Sequence, residues 1–344
     1  MTDRVPLAEA FEMQAVACDA LGSPFTARLM RLLDGAIPPG PLRERIEGWP
    51  GDVSNRGDSV PLRLAGGLHA LARAGDPLAA TYPPNEADDE ALASALSDAM
   101  AREPEALLRA LDNPPQTNEV RRAACLIATA HLLSARHGLP LVLSEMGASA
   151  GLNLLFDRFA LATPDGPRGP ADPILTLAPE WRGDAVPPDA PPMIRSRAGV
   201  DRAPIDVRDP AQRGRLVSYL WPDQTFRIDM TEAAIAAGPP PLDRGDAVEW
   251  LERRLAEPHP GAIHLVYHTV FRQYLSPEAS SRMCRLLADT GTRATRDAPL
   301  AHLSMEGDGQ SGAAMTLTAW PGGEPEALGR ICFHGRWIDW RAAA

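Results

Sequence analysis

The chain has 344 residues, 44% hydrophobic and 23% charged, with a formal net charge of −11. That is enough for one large or two ordinary globular domains with a substantial core, and the acidic balance argues against nucleic acid as a partner, since a phosphate-backbone binder presents a basic surface. No apolar run approaches the roughly 20 residues that cross a bilayer, the opening MTDRVPLAEAFEMQ lacks the apolar centre of a signal peptide, and Cys18, Cys125, Cys284 and Cys332 form no C-x-x-C pair. A cytoplasmic protein with reduced thiols, no membrane partner and no metal site is expected.

Every one of the 34 basic residues is arginine. Without lysine the chain can form neither a pyridoxal-phosphate nor an aldolase-type Schiff base, and it has no Walker-type phosphate loop.

In chain order, Ser23-Pro24 opens a helix through Leu33, with a preferred cap and a first-turn proline. Leu62 to Arg73, Asp88 to Met100 and Val120 to Arg136 read as further helices, rich in Ala and Leu. Joints such as Ile37-Pro38-Pro39-Gly40-Pro41 separate them. A division near Gly138 is expected, with residues 1–137 as a helical N-terminal region and 138–344 as an α/β domain carrying a Pro-rich insertion at about 163–192. Beyond Gly138 strand and helix alternate, the mark of a mostly parallel sheet. Leu141-Val142-Leu143 suits a strand covered on both faces, and Leu152, Leu155, Phe156 and Phe159 recur at helical spacing. Met193 to Ala198 is a second strand leading to Gly199-Val200-Asp201. Asp243-Arg244-Gly245-Asp246 precedes a helix marked by Val248, Leu251 and Leu255. Ala262 to Tyr267 is another strand, and Ser276-Pro277 caps a helix. Leu300 to Met305, Ala313 to Trp320 and Gly329 to His334 are closing strands.

The chemistry concentrates in LVLSEMGASAGLNLLFDRF, Leu141 to Phe159, a strand, a glycine turn and a helix. Glycine permits positive φ and close approach of a ligand, and a helix N-terminus beyond it offers free N–H groups. The spacing of Glu145, Gly147, Ser149 and Gly151 resembles the first motif of Rossmann-like S-adenosylmethionine-dependent methyltransferases, with Ser149 in place of the middle glycine. That resemblance implies a class-I-methyltransferase-type sheet ending in an antiparallel hairpin. It also implies S-adenosylmethionine as cofactor, held by Glu145, Gly147, Ala148, Ser149, Gly151 and Asn153. By the same resemblance Asp201 meets the ribose, and Asp246 with Ala247 approaches the adenine. A helix N-cap is the alternative for Asp246. His268 and Arg272 follow the fourth strand at the sheet's carboxyl edge. They are the candidate catalytic groups, as a general base and as a partner for an acidic substrate. Simple packing by Tyr267 and Phe271, with a local hydrogen bond for His268, is the plainer account.

Together with QTNEVRR, RAGVDRAPIDV, LWPDQTFR and YHTVFRQYL, the block E-x-G-A-S-A-G-L-N-L from Glu145 to Leu154 resembles an uncharacterised bacterial domain-of-unknown-function family across nearly the whole chain. This resemblance implies that Gln116, Thr117, Asn118, Glu119 and Arg122 belong near the glycine turn. Thr117, Asn118, Arg122 and Tyr274 are the expected contacts of a small-molecule substrate. Two other readings stand beside methyl transfer. Gly147-Ala148-Ser149-Ala150-Gly151 also spells G-x-S-x-G, the nucleophile elbow of a serine esterase, with Asp246 and His302, or Asp308 and His334, completing the order. A non-catalytic ligand binder on the same kind of fold is the third. Oligomeric state is not legible.

Overall fold

The computed structural model describes residues 5–342. Residues 1–4 of the stretch read as lacking a signal-peptide core lie outside the described residues. The chain forms two compact units, Met1–Thr117 with Val207–Asp229, and Asn118–Asp206 with Met230–Ala344.

Helices α1 (Leu7–Ala20), α2 (Pro24–Ala36), α3 (Pro41–Glu47), α4 (Val60–Arg73), α5 (Asp89–Arg102) and α6 (Pro104–Leu111) open the first unit. Proline in the first turn starts α2, α3, α4 and α6, where its missing N–H costs nothing. Asp88 caps α5 by accepting from Ala91 N at 2.8 Å. Their apolar stripes meet in one core that includes Phe11, Met30, Leu64, Leu68, Leu96 and Trp221. Gly66-Gly67-Leu68-His69 lies inside α4, with the His69 ring against the Ser218 carbonyl at 3.0 Å.

The second unit continues with α7 (Ala123–His137), β1 (Leu141–Met146), β2 (Ala160–Leu161), β3 (Thr176–Leu177), β4 (Glu180–Trp181) and β5 (Ile194–Asp201). After α8 (Pro210–Ser218) of the first unit comes α9 (Thr225–Ala236), which contains the boundary. Then follow β6 (Asp243–Arg244), α10 (Ala247–Ala256), β7 (Ile263–Thr269), α11 (Pro277–Gly291), β8 (Leu300–Gly307), β9 (Ala313–Trp320), β10 (Pro325–Ile331) and β11 (Trp337–Trp340). Nine of these strands form one mixed sheet in the order β4-β11-β10-β9-β8-β7-β1-β5-β6. From β6 to β8 neighbouring strands are parallel, and β8 to β11 form an antiparallel meander. Every residue of β1 and of β7 is buried, as a strand covered on both faces requires. Leu143 and Leu265 at their centre each contribute about 1.5–3 kcal/mol of burial.

The parallel α/β sheet, its antiparallel C-terminal strands and the helical N-terminal region agree with the sequence pattern. One expectation fails. The segment after the glycine turn is no amphipathic α-helix but a 3₁₀ segment, Leu152–Arg158. Leu152 through Phe156, polar Asn153 included, are all buried, so burial is not confined to one helical face, and the segment ends where Ala160 enters β2. The second strand extends to Asp201, because its ladder with β1 runs to Met146 and Val200. The Pro-rich insertion supplies β3 and β4, and β4 pairs with β11 at the far sheet edge. Among the described residues no helix is long and apolar enough to cross a membrane. Cys18, Cys125 and Cys332 are buried free thiols, and Cys284 is an exposed one.

The meander closes at Gly329, which has φ +126°, and a methyl group there would overlap the Asp339 carbonyl oxygen. Gly329→Ala should therefore cost about 2 kcal/mol or more in denaturant unfolding. An unchanged midpoint would show that β10 and β11 do not approach so closely.

Candidate functional site

Strand β1 has β5, which follows it in the chain, on one side and β7 on the other. The chain runs from β1 to β5 and β6 on one side and returns to β7 on the other, and open α/β sheets bind ligands at such a switch point. Glu145 and the glycine turn stand there, beside the Thr269-Val270-Phe271 corner that follows β7.

The turn has left-handed backbone at Gly147 (φ 70°), Ser149 (φ 55°) and Gly151 (φ 74°). Its N–H groups do not point outward for a ligand, contrary to the expectation from the motif. Gly147 N and Ala148 N both donate to Val200 O, at 2.9 and 3.0 Å. Ser149 N donates to Asp201 Oδ2 at 2.9 Å, and Gly151 N to Ala148 O at 2.7 Å. Ala150 N and Leu152 N share Asn118 Oδ1, at 3.2 and 2.9 Å. The donors are spent within the protein. The Phe271 ring also covers Gly147, and it would clash with any Cβ there at 2.5 Å.

The groups left unsatisfied are side-chain atoms, most of them acceptors. Glu145 is 2% exposed, and its Oε2 has no hydrogen-bond partner. Ser149 Oγ, Asn153 Oδ1 and the Tyr267 hydroxyl are likewise buried without one. Burial raises the Glu145 pKa well above the ordinary carboxylate range. The negative charge of Asp201 adds to the rise, while the adjacent Tyr267 hydroxyl and the Arg122 charge oppose it. A buried unsatisfied polar group costs about 1–3 kcal/mol, so such a set in one segment calls for an explanation.

Asp201 spans the turn and the loop beyond β5, its other oxygen accepting from Ala203 N at 2.9 Å. Arg122 donates to the Phe333 and Thr269 carbonyls at 3.0 and 3.2 Å. Asn153 Nδ2 reaches Glu119 O at 3.3 Å. Asp246 caps α10, accepting from Val248 N and Glu249 N at 2.9 and 3.0 Å, and Ala247 packs in the core beneath. Thr117 is exposed and belongs to the other unit. Asn118, Arg122, Asn153 and Asp201 thus share the glycine-turn region, whereas Arg272 and Tyr274 (71% exposed) stand at the surface after β7.

His268 is 0% exposed. Its Nδ1 bonds Glu306 Oε1 at 2.6 Å and its Nε2 meets His302 Nε2 at 3.1 Å. Burial holds the His302 pKa far below the usual histidine range, with the His268 and Arg272 charges pushing the same way, so His302 stays neutral. Both His268 nitrogens are engaged within the protein, one by Glu306 and one by His302. Glu306 also accepts from Phe271 N and Arg272 N, at 2.9 and 3.1 Å. Burial alone would raise the Glu306 pKa, but these donors outweigh it and hold it below the ordinary value. They fix a strained corner, since Val270 has φ +55°, a genuine outlier for a β-branched residue. Glu306 escaped the motif reading. It had one signal, an acidic residue ending an apolar strand at the carboxyl edge, as Glu145 does.

The esterase arrangement is not assembled. Ser149 has positive φ, yet its Oγ is buried without a partner, and the Ala150 N–H, which an oxyanion hole would use, is held by Asn118. Asp308 is paired with Arg330 at 2.8 Å, and Asp246 is spent on its cap. Among the described residues no cluster of potential metal ligands occurs.

Asn118→Ala strands two buried N–H groups and should destabilise by about 1–3 kcal/mol for each, with faster amide exchange at Ala150 and Leu152. Protection equal to wild type would show that Asn118 does not close the turn. For Glu306 the folded pKa is lowered, so its stabilisation is complete above the ordinary carboxylate pKa and lost as pH falls through the folded value. The stability gap between wild type and Glu306→Gln should therefore close on acidification. A gap independent of pH would contradict this role.

No curated protein matches the chain. A family model described as "Uncharacterized protein conserved in bacteria (DUF2332)" matches residues 8–340, a span that contains both the helical region and the glycine-turn site. The chain belongs to this family of conserved bacterial proteins.

Proposed function

We propose that the chain binds S-adenosylmethionine at the switch point and uses it to methylate a small molecule. The observation that carries this is the buried Glu145 carboxylate, whose Oε2 lacks a partner at the end of β1. Its neighbours fit the cofactor's polar end by type. Glu145 Oε2, Ser149 Oγ and Asn153 Oδ1 can accept from an ammonium or a hydroxyl. A phosphate-bearing ligand fits poorly, because the turn's N–H groups are taken and Arg122 is spent on carbonyls. When bound, the cofactor supplies an electrophilic methyl group.

The chain's own residues then bind, orient and exclude water. Glu145 pairs with the cation and is held ionised by it, reversing the effect of burial. Asp201 lies next to the turn and keeps lone pairs for a diol. Phe271 must leave the face of Gly147 for the ligand to enter, and it covers the bound ligand on return. Arg272 keeps guanidinium donors beyond the one given to Ser280 Oγ at 2.7 Å, and these suit a carboxylate on the acceptor. Methyl transfer needs mainly proximity and in-line orientation, so the engagement of His268 with Glu306 and His302 is no obstacle.

Calorimetric titration with S-adenosylmethionine and S-adenosylhomocysteine should give saturable binding that Glu145→Gln abolishes. The same variant should be more stable than wild type. The folded pKa of Glu145 is raised, so its ionisation costs stability as pH rises from the unfolded value through the folded one. Glu145→Gln should therefore gain in unfolding temperature toward neutral pH. No binding at millimolar ligand in the wild type would overturn the proposal.

A further inference from the structure

At the amino-terminal edge of the sheet, opposite the glycine turn, β7 and β8 begin over a cavity of about 290 Å³ beside the ends of α10 and α11. Leu255, Ala262, Ala294 and Leu300 give it apolar walls, and His259, His264 and Arg293 line it as well. None of these residues belongs to the glycine turn or to the cofactor site proposed there.

A relay of hydrogen bonds runs from Arg254 through Ser144 to His264. Arg254 Nε donates to Ser144 Oγ at 3.2 Å, and the same oxygen lies 2.8 Å from His264 Nε2, where the hydroxyl can give the ring its one proton. Burial pushes the His264 pKa down to about 3, with His259 and Arg254 adding repulsion, and the ring is neutral. With Nε2 accepting from that hydroxyl, the ring proton sits on Nδ1. His264 is 6% exposed, and no bond engages that Nδ1–H in a ring that lines the cavity. His259 packs edge-to-face on it with centroids 4.7 Å apart, and its own Nε2 is buried without a partner.

Arg293 is the one arginine among the described lining residues. Arg293 is anchored by Asp289 O at 3.1 Å and Thr290 Oγ1 at 3.3 Å. Glu257 is the one acid among the described lining residues. Its side chain is 70% exposed and turned toward Arg254 at 3.9 Å. No three potential metal ligands converge here or elsewhere among the described residues. The volume is at the lower end of ligand pockets, about 300–1,000 Å³.

We propose that this cavity is a second binding site, for a small monocarboxylate with a short apolar body. Its carboxylate accepts from His264 Nδ1–H and pairs with Arg293, and its apolar part lies against Leu255, Ala262 and Leu300. The site is independent of cofactor binding at the glycine turn.

The full-length protein, labelled with ¹⁵N at histidine, tests this by imidazole spectra during titration with hexanoate, 1-hexanol and hexylamine. The free protein should show His264 as the Nδ1–H tautomer. Hexanoate should shift that ring saturably, at least about tenfold more tightly than the alcohol, as expected for a charge-assisted hydrogen bond. The amine should not bind. Arg293 is exposed, so Arg293→Ala should fold normally while weakening hexanoate about tenfold or more. His264→Phe should abolish the preference for the acid over the alcohol. An Nε2–H tautomer, equal binding of hexanol, or no saturable shift at tens of millimolar hexanoate would each overturn the site.

Discussion

Hydrogen bonding within the glycine turn is the constraint on which the site depends. Val200 O, Asp201 Oδ2 and Asn118 Oδ1 take the N–H groups of Gly147 to Leu152, apart from the bond that Gly151 makes back to Ala148. Each such bond is worth only about 0.5–1.5 kcal/mol net. Together they tie the segment before α7, the end of β1 and the end of β5 into one corner. The consequence is chemical as well as mechanical. A turn whose donors are consumed cannot cradle phosphate, and what remains unsatisfied is Glu145, with the polar side chains around it.

Strain is stored on both sides of this corner. Ser149 and Val270 hold left-handed backbone without being glycine, at a cost of about 1–3 kcal/mol each. Asp201 and the Ile205 amide, which donates to Ser149 O at 2.9 Å, fix the first. The Glu306 carboxylate, with donors from His268, Phe271 and Arg272, fixes the second. The second strained residue precedes Phe271, whose ring lies over Gly147.

Much of this was legible in the sequence where local pattern decides. The apolar run Leu141 to Leu143 followed by glycines could only be a buried strand and a tight turn. The Asp246 cap was readable from its place before an apolar helix face. Burial of five consecutive residues hid the character of Leu152 to Phe156, because apolar residues spaced for one helical face look the same when their neighbours are covered too. Asn118 was placed near the turn by family resemblance, but its role as acceptor for two N–H groups exists only once distant segments meet. His268 had two readings, a base or a local hydrogen bond. A histidine at the carboxyl edge suggested a base, whereas the folded chain surrounds it with Glu306 and His302.

Burial of an unsatisfied Glu145 is the central claim, and the ionisation of its carboxyl group tests it most directly. Carboxyl ¹³C shifts of labelled Glu145 should be followed against pH, with and without S-adenosylmethionine. The group should stay protonated through the pH range where an ordinary glutamate ionises, and become charged when the ligand binds. Ordinary titration in the free protein, or a titration unmoved by saturating ligand, would contradict it.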